Sequence, residues 1–99
     1  MIVELARLSI RPGSEAEFEE AVAQARGVFA RARGFQTLAL HRIIEQPGVY
    51  MLLLHWATLE DHTEHFRKSS LFAEWRALVG PFFASPPEVL HGAPVTLPA

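Results

Sequence analysis

Hydrophobic and polar residues along the first third of the chain predict a strand followed by a long amphipathic helix. Residues 2–10, IVELARLSI, are rich in β-formers and partly alternate, and a Pro-Gly turn ends them. Apolar residues then recur at helical spacing over 14–33. Ser14 and Glu17 have the spacing of a capping box, in which each side chain bonds the other residue's backbone amide. We therefore expect a helix that begins at Ser14 and ends just before Gly34.

The rest of the chain predicts a hairpin, a helix in two parts and a final strand. Glycine and proline at 46–48 separate two β-rich runs, and Gly92 and Pro94 interrupt the last run, which suits a sheet edge. Hydroxyl side chains that precede the periodic apolar stretches can cap helices. The predicted elements are strands over 35–45, 49–56 and 89–95, and helical segments that follow Thr58 and Ser69 and end near Val79.

The order β-α-β-β-α-β predicts an α+β fold, a ferredoxin-like sandwich with an antiparallel sheet and both helices on one face. A sheet with one face in water should alternate apolar and polar residues. Residues 49–54, VYMLLL, and 38–40, LAL, do not alternate. Both faces of the central strands therefore require burial, and one chain supplies helices for only one face. We expect a homodimer that packs through the free sheet face.

Length, composition and charge limit the classes of protein that fit. The 99 residues form a single domain, 1–99, and 49% hydrophobic with 20% charged residues is typical of a globular chain. A net charge of −2 gives no reason to expect nucleic acid or an anionic membrane as a partner. The longest apolar run is too short to span a bilayer, and the first residues lack a secretion signal. We expect a cytoplasmic protein.

The stretch HWATLEDHTEHF, residues 55–66, concentrates three of the five histidines. His62 and His65 are three positions apart, so both could reach one ion from the same side of a helix. Zinc would need further ligands, and the chain has neither an HExxH motif nor any cysteine. We therefore expect no metal site, no disulfide and no cysteine nucleophile.

The chain resembles the antibiotic biosynthesis monooxygenase family of dimeric α+β barrel proteins. The likeness covers nearly the whole sequence and is carried by three groups of residues. These are the strand Ile2–Arg7 with Pro12-Gly13 and Glu17-Phe18; the strand Tyr50–Trp56 leading into Thr58–His62; and the series Phe66, Ser69, Phe72 and Trp75, followed by Gly80–Phe83.

The resemblance implies a small homodimer with a pocket between sheet and helices in each subunit. Several family members oxygenate quinols, anthrones or polyketides with molecular oxygen, and they use no flavin, haem or metal. The implied activity is a cofactor-free monooxygenase in which the deprotonated substrate itself reduces oxygen, inside a dry pocket with a base. Because fold does not fix function, the alternative is a non-enzymatic small-molecule-binding or stress-related module of the same fold.

The resemblance also suggests site residues, each with a structural alternative. A histidine beside an apolar stripe is either a general base or part of the packing. The tryptophan that ends a strand either lines the pocket or belongs to the core. Arg7 either binds a substrate anion, forms an ion pair at the sheet edge or crosses the dimer. The candidates are His62, His65 and Arg7 for catalysis, and Trp56, Phe66 and Phe83 for binding the aromatic substrate.

At two places this sequence differs from family members of known activity, and the differences restrict the activities that the resemblance implies. Haem-degrading members use an Asn–Trp–His set, whereas this chain has no Asn and carries Trp75-Arg76 where the haem-ligating histidine would align. Quinol-oxidising members often have His-Phe where this chain has Leu71-Phe72. Both differences argue against a direct transfer of those activities.

Overall fold

A four-stranded antiparallel sheet organises the computed structural model, which describes residues 1–99. The observed order confirms the predicted α+β, ferredoxin-like fold. The elements are β1 (Ile2–Ser9), α1 (Glu15–Ala30), β2 (Phe35–Arg42), β3 (Val49–Trp56), a π-helical segment (Asp61–Phe66), α2 (Ser70–Val79), a 3₁₀ turn (Gly80–Phe82) and β4 (Glu88–Gly92).

The strands lie in the order β2-β3-β1-β4, and all neighbours are antiparallel. This order confirms that β4 occupies an edge. The strand ends at Gly92 rather than at the predicted residue 95, because glycine weakens a strand and Pro94 has no amide hydrogen to donate. No helix is both long and apolar enough to cross a membrane.

Helix α1 matches the predicted segment but not its predicted cap. The Ser14 side chain makes no capping bond, because the backbone of Ser14 is not extended, with φ −103° and ψ 7°. Gly34 follows the helix with a φ of +76°, and a Cβ at this position would lie 1.9 Å from the Asp61 carboxylate. Only glycine therefore fits at the end of this connection.

The second helical region begins and divides as the hydroxyl residues predict. Thr58 Oγ1 accepts a hydrogen bond from the Asp61 amide at 3.1 Å, and Ser69 Oγ accepts from the Leu71 amide at 3.2 Å. The segment between these caps is π-helical, and the Arg67 amide bonds the His62 carbonyl five residues earlier at 3.1 Å. That wider turn was not predicted.

The two faces of the sheet differ in burial. The inner face packs on the helices, and its β3 residues Tyr50, Leu52, Leu54 and Trp56 are almost fully buried. The outer face carries a row of apolar residues that strand register aligns across all four strands, and the row remains partly or largely exposed. Its members, named here the outer row, are Ala39, Leu53, Leu5 and Leu90.

Candidate active site

A cavity of about 150 Å³ lies between the inner sheet face and the second helical region. A space of this volume accommodates about one benzene-sized ring. Its polar side chains come from Glu4, His62, Arg67 and Arg76. Its remaining wall is apolar and consists of Ala6, Leu8, Phe29, Leu52, Phe66, Phe72, Trp75, Phe83, Pro87 and Val89.

Glu4 is the buried acid of this cavity. It shares the inward phase of β1 with Ala6 and Leu8, and only 7% of it is exposed. The Trp56 indole Nε1–H donates to Glu4 Oε1 at 3.0 Å. Burial raises the pKa of Glu4 to about 7, because the charged form loses its hydration, although the Trp56 bond and the charge of Arg67 oppose that rise.

His62 lies against Glu4 and completes an acid–base pair. Its ring stacks on Trp56 with centroids 5.3 Å apart, and its Nε2 atom lies 3.2 Å from Glu4 Oε1. Burial lowers the pKa of His62 to about 4, and the positive Arg67 and the neighbouring His91 add to that effect. Near neutral pH the imidazole is therefore uncharged, while the Glu4 carboxyl is close to its midpoint.

His91 connects this pair to the surface. It stands opposite Glu4 in the β1–β4 register, and its Nε2 atom lies 2.8 Å from His62 Nδ1. The residue is exposed, and partial burial followed by the charge of Arg67 lowers its pKa. No group of three or more histidine, cysteine, aspartate or glutamate side chains is arranged to hold a metal ion.

Two arginines stand at the cavity wall without a carboxylate partner. Arg67 and Arg76 are both exposed, and neither forms an ion pair. The Arg76 guanidinium lies 5.3 Å from the centroid of the Phe83 ring, within range of a cation–π contact. The cavity mouth therefore presents positive charge to any ligand that enters.

Of the six residues predicted from sequence, three line the cavity and three lie elsewhere. His62, Phe66 and Phe83 line the cavity, whereas Trp56 lies behind His62 as a fully buried residue. His65 is exposed on the π-helical segment and does not reach the cavity.

Arg7 points to the outer sheet face, away from the cavity. One of its guanidinium nitrogens donates to Gln46 Oε1 at 2.9 Å, so its partner is an amide and not the predicted carboxylate or substrate anion. Because the side chains of a strand alternate between faces, Arg7 cannot share the inward phase of Glu4 and Ala6.

Sequence reasoning missed Glu4, His91 and both cavity arginines. For Glu4 a signal exists, since it shares the alternate phase of Ala6, Leu8 and Ile10, which all prove to be buried. An acid in the buried phase of a strand indicates a functional site. His91 gives no such signal, because its place beside His62 depends on the pairing of β4 with β1.

Comparison with known proteins assigns the family. The family model for antibiotic biosynthesis monooxygenases matches residues 1–78, most of the chain. The chain belongs to the antibiotic biosynthesis monooxygenase family. The resemblance inferred from the sequence is confirmed.

Relatives in the antibiotic biosynthesis monooxygenase family agree in fold and leave the substrate open. A candidate family member from Bordetella bronchiseptica is 50% identical, with a TM-score of 0.93 over 96% of this chain and 97% of its own. The uncharacterised protein YczJ of Bacillus subtilis is 44% identical over 92% of this chain and 96% of its own. SnoaB of Streptomyces nogalater, described as a cofactor-independent oxygenase, has 23% identity, a TM-score of 0.74 and coverage of 99% and 97%, and supports the fold alone.

Proposed function

We propose that the protein is a cofactor-independent monooxygenase that oxidises a small aromatic phenol or quinol with molecular oxygen. The observation that carries the proposal is the buried Glu4–His62 pair, whose atoms approach to 3.2 Å at the wall of an otherwise largely apolar cavity. Perturbed acids and bases in a cleft are typical of catalytic sites. Membership of the antibiotic biosynthesis monooxygenase family supports the reaction class.

The chemistry requires a base, a dry cavity and an electron-rich substrate. Glu4, whose pKa is raised to about 7 by burial, is matched to accept a phenolic proton near neutral pH. The resulting phenolate transfers one electron to oxygen, and the phenoxyl radical and superoxide then join at a ring carbon that carries hydrogen, para or ortho to the phenolate oxygen. The new C–O bond leaves a peroxide anion, which takes a proton back from Glu4.

The final step releases water. The Glu4 carboxylate removes the hydrogen from that ring carbon, the O–O bond breaks, and the terminal oxygen departs as hydroxide, which takes this proton and leaves the cavity as water. One phenol and one oxygen molecule thereby give one quinone and one water molecule, so atoms and electrons balance. The uncharged His62 ring and the Trp56 indole hold the carboxyl of Glu4 in position throughout.

Cavity volume favours a single-ring substrate over an anthrone or another polycyclic compound. The space of about 150 Å³ suits one aromatic ring. Rings of Phe66, Phe72, Trp75 and Phe83 provide faces and edges against which that ring can pack. Arg67 and Arg76 would stabilise the phenolate that the reaction requires.

The working form that we propose is a homodimer through the outer sheet face. Leu5 of the outer row stands between Leu53 and Leu90 in the register, and Leu90 is 69% exposed. An apolar patch of this kind on a sheet face is typical of a subunit interface. Packing a second copy on it would cover the apolar residues that the helices leave uncovered.

Oxygen-electrode screening of single-ring phenols and hydroquinones tests the proposed activity. We expect oxygen consumption with equimolar quinone formation, and labelled molecular oxygen should enter the quinone. Glu4→Gln should lower kcat/KM by roughly 10²- to 10⁴-fold, because the amide cannot accept the proton. The matched control is Glu20→Gln, the same change on an exposed position of α1.

Two outcomes would contradict the proposal. Equal activity of Glu4→Gln and wild type would remove the proposed base from the mechanism. Saturable binding of phenols, observed by quenching of tryptophan fluorescence but without oxygen consumption across the panel, would instead favour the small-molecule-binding module.

A further inference from the structure

We infer that Glu4, His62 and His91 form a proton relay that links the buried acid of the cavity to solvent, with His91 as its outer end. The inference rests on the proposed function, because it concerns the proton that Glu4 removes from the substrate. Three features carry it: the order of the groups, their distances and the exposure of the last one.

The three side chains form a continuous series of hydrogen-bonding contacts. Glu4 Oε1 lies 3.2 Å from His62 Nε2, and His62 Nδ1 lies 2.8 Å from His91 Nε2. Glu4 and His62 are 7% and 3% exposed, so neither can exchange protons freely with bulk water. His91 is exposed on the edge strand β4 and can do so. Both ring nitrogens of His62 are thus used, one toward each neighbour.

A proton moves outward when His62 and His91 both change tautomer. Neither imidazole remains positively charged afterwards. The protonated carboxyl of Glu4 donates to His62 Nε2, while the proton on His62 Nδ1 passes to His91 Nε2. His91 releases its Nδ1 proton to water. In the new arrangement His91 Nε2–H donates to His62 Nδ1, and His62 Nε2–H donates to the Glu4 carboxylate, so every contact remains a hydrogen bond.

The same path returns the proton. The overall reaction of phenol and oxygen to quinone and water releases no proton, yet the peroxide anion needs one after the phenol has lost its own. A relay that runs outward and then inward supplies that proton and leaves both rings in their starting tautomers. The buried Glu4 therefore needs no water molecule beside it for this exchange.

One charged side chain, Arg67, influences all three groups of the relay. Arg67, which follows the π-helical segment, is the charged side chain that acts on all three groups. Its positive charge opposes accumulation of imidazolium at His62 and His91 and favours the carboxylate form of Glu4. Glu4 is the acid in contact with these rings, through the 3.2 Å approach of its Oε1 atom to His62 Nε2. The surroundings therefore suit neutral imidazoles that pass protons on.

Nuclear magnetic resonance tests the relay without any substrate. With nitrogen-labelled histidine, we expect a scalar coupling across the hydrogen bond between His62 Nδ1 and His91 Nε2. Exchange of the His62 ring proton with water should be slower by roughly tenfold or more in His91→Phe than in wild type. His41→Phe, which changes an exposed histidine on β2, is the matched control and should leave the exchange rate unchanged. Unchanged exchange in His91→Phe, with the fold verified by thermal unfolding, would overturn the relay.

Turnover gives the second readout. His91→Gln should lower kcat more than KM changes, and added imidazole should restore part of kcat, since a free base can replace the missing ring. Loss of kcat without rescue, together with unchanged proton exchange, would indicate a structural role and contradict the inference. Failure of the proposed activity is recognised separately, because it would abolish oxygen consumption in wild type while leaving the resonance measurements intact.

Discussion

Two neighbouring residues of β1, Glu4 and Leu5, place a polar and an apolar side chain in the reverse of the usual order. The inward face carries the acid Glu4 together with Ala6 and Leu8, and all three are buried. The outward face carries Leu5, in the middle of the outer row, at a position that remains partly exposed. Burial of apolar groups alone would favour a leucine inside and a carboxylate outside.

Under the proposed function, this reversal separates a residue that serves the chemistry, Glu4, from a residue that serves assembly, Leu5. Burying a carboxyl costs stability unless it finds partners, and Glu4 has Trp56 and His62 as its partners. No buried side-chain nitrogen or oxygen in the molecule lacks a hydrogen-bond partner. The polar groups of the inner face are therefore satisfied within one chain, whereas the apolar outer face is the surface that the proposed homodimer would cover.

The largest effect is expected from a charge in the centre of the outer row. Leu5→Asp should weaken the proposed homodimer by roughly 10³-fold or more, about 4 kcal/mol, because the carboxylate would be buried between two sheets without a partner. Sedimentation equilibrium should then give the 11.1 kDa mass of one chain, whereas wild type should give twice that value.

A matched control carries the same charge on the helical side. Gln24→Asp changes an exposed residue of α1 and should leave the association constant of the dimer unchanged. Circular dichroism verifies that Leu5→Asp still folds. A wild-type protein that sediments as a monomer at micromolar concentration would contradict the assignment of the outer row to assembly.

On the inner face, Glu4 and His62 should make the free energy of unfolding depend on pH in opposite directions. The raised pKa of Glu4, about 7, means that the native state binds this proton more tightly than the unfolded state. In His62→Gln, where Glu4 acts alone, the free energy of unfolding should fall by about 3 kcal/mol as pH rises from about 4.5 to 7. In Glu4→Gln, the lowered pKa of His62 should make the free energy fall as pH drops from 6.5 to about 4.

Urea denaturation at fixed protein concentration measures both slopes. In wild type the two effects have opposite signs over the shared range and should largely offset each other. Slopes of the same sign in the two variants would contradict the reversed burial of acid and base. Glu20→Gln serves again as the exposed control and should reproduce the wild-type curve.

Local patterns were sufficient for the fold and for three residues that line the cavity, His62, Phe66 and Phe83. The spacing of apolar residues in α1 and the proline and glycine punctuation predicted every strand and helix to within a few residues, because these signals act over short distances. The non-alternating run in β3 also predicted the apolar outer face. The lack of a cap at Ser14 and the π-helical geometry depend on backbone angles that residue types do not fix.

The remainder of the site depends on contacts distant in sequence. His62 was recognised from its helical position, but its partners come from β1 and β4, 58 and 29 residues away along the chain. Arg7 was predicted at the site because it is a cation within a strand, and strand phase assigns it to the other face. The alternation of side chains along β1 could be inferred from the sequence, whereas the pairing of β4 with β1 could not.

A smaller effect is expected from the bond that holds the acid. Trp56→Phe removes the indole N–H that donates to Glu4, so the protein should lose about 1–2 kcal/mol of stability and the pKa of Glu4 should rise further. Carbon-detected titration of the Glu4 carboxyl measures that pKa. Trp75→Phe, which alters a cavity tryptophan without a bond to Glu4, is the matched control, and an equal rise in both variants would contradict the role given to Trp56.

The smallest effect on activity is expected from a substitution at Arg7. Comparing it with the same substitution at Arg67 tests directly which face of the sheet binds the substrate. Arg7→Gln removes one bond to Gln46 on the outer face, so kcat/KM should change by less than about twofold. Arg67→Gln makes the same change at the cavity wall and should lower kcat/KM several-fold, because it removes positive charge beside the phenolate. Oxygen-electrode assays of the two variants compare the same substitution on opposite sides of one sheet. If Arg7→Gln had the larger effect, the substrate would have to bind at the outer face, and the inward Glu4 could not be its base.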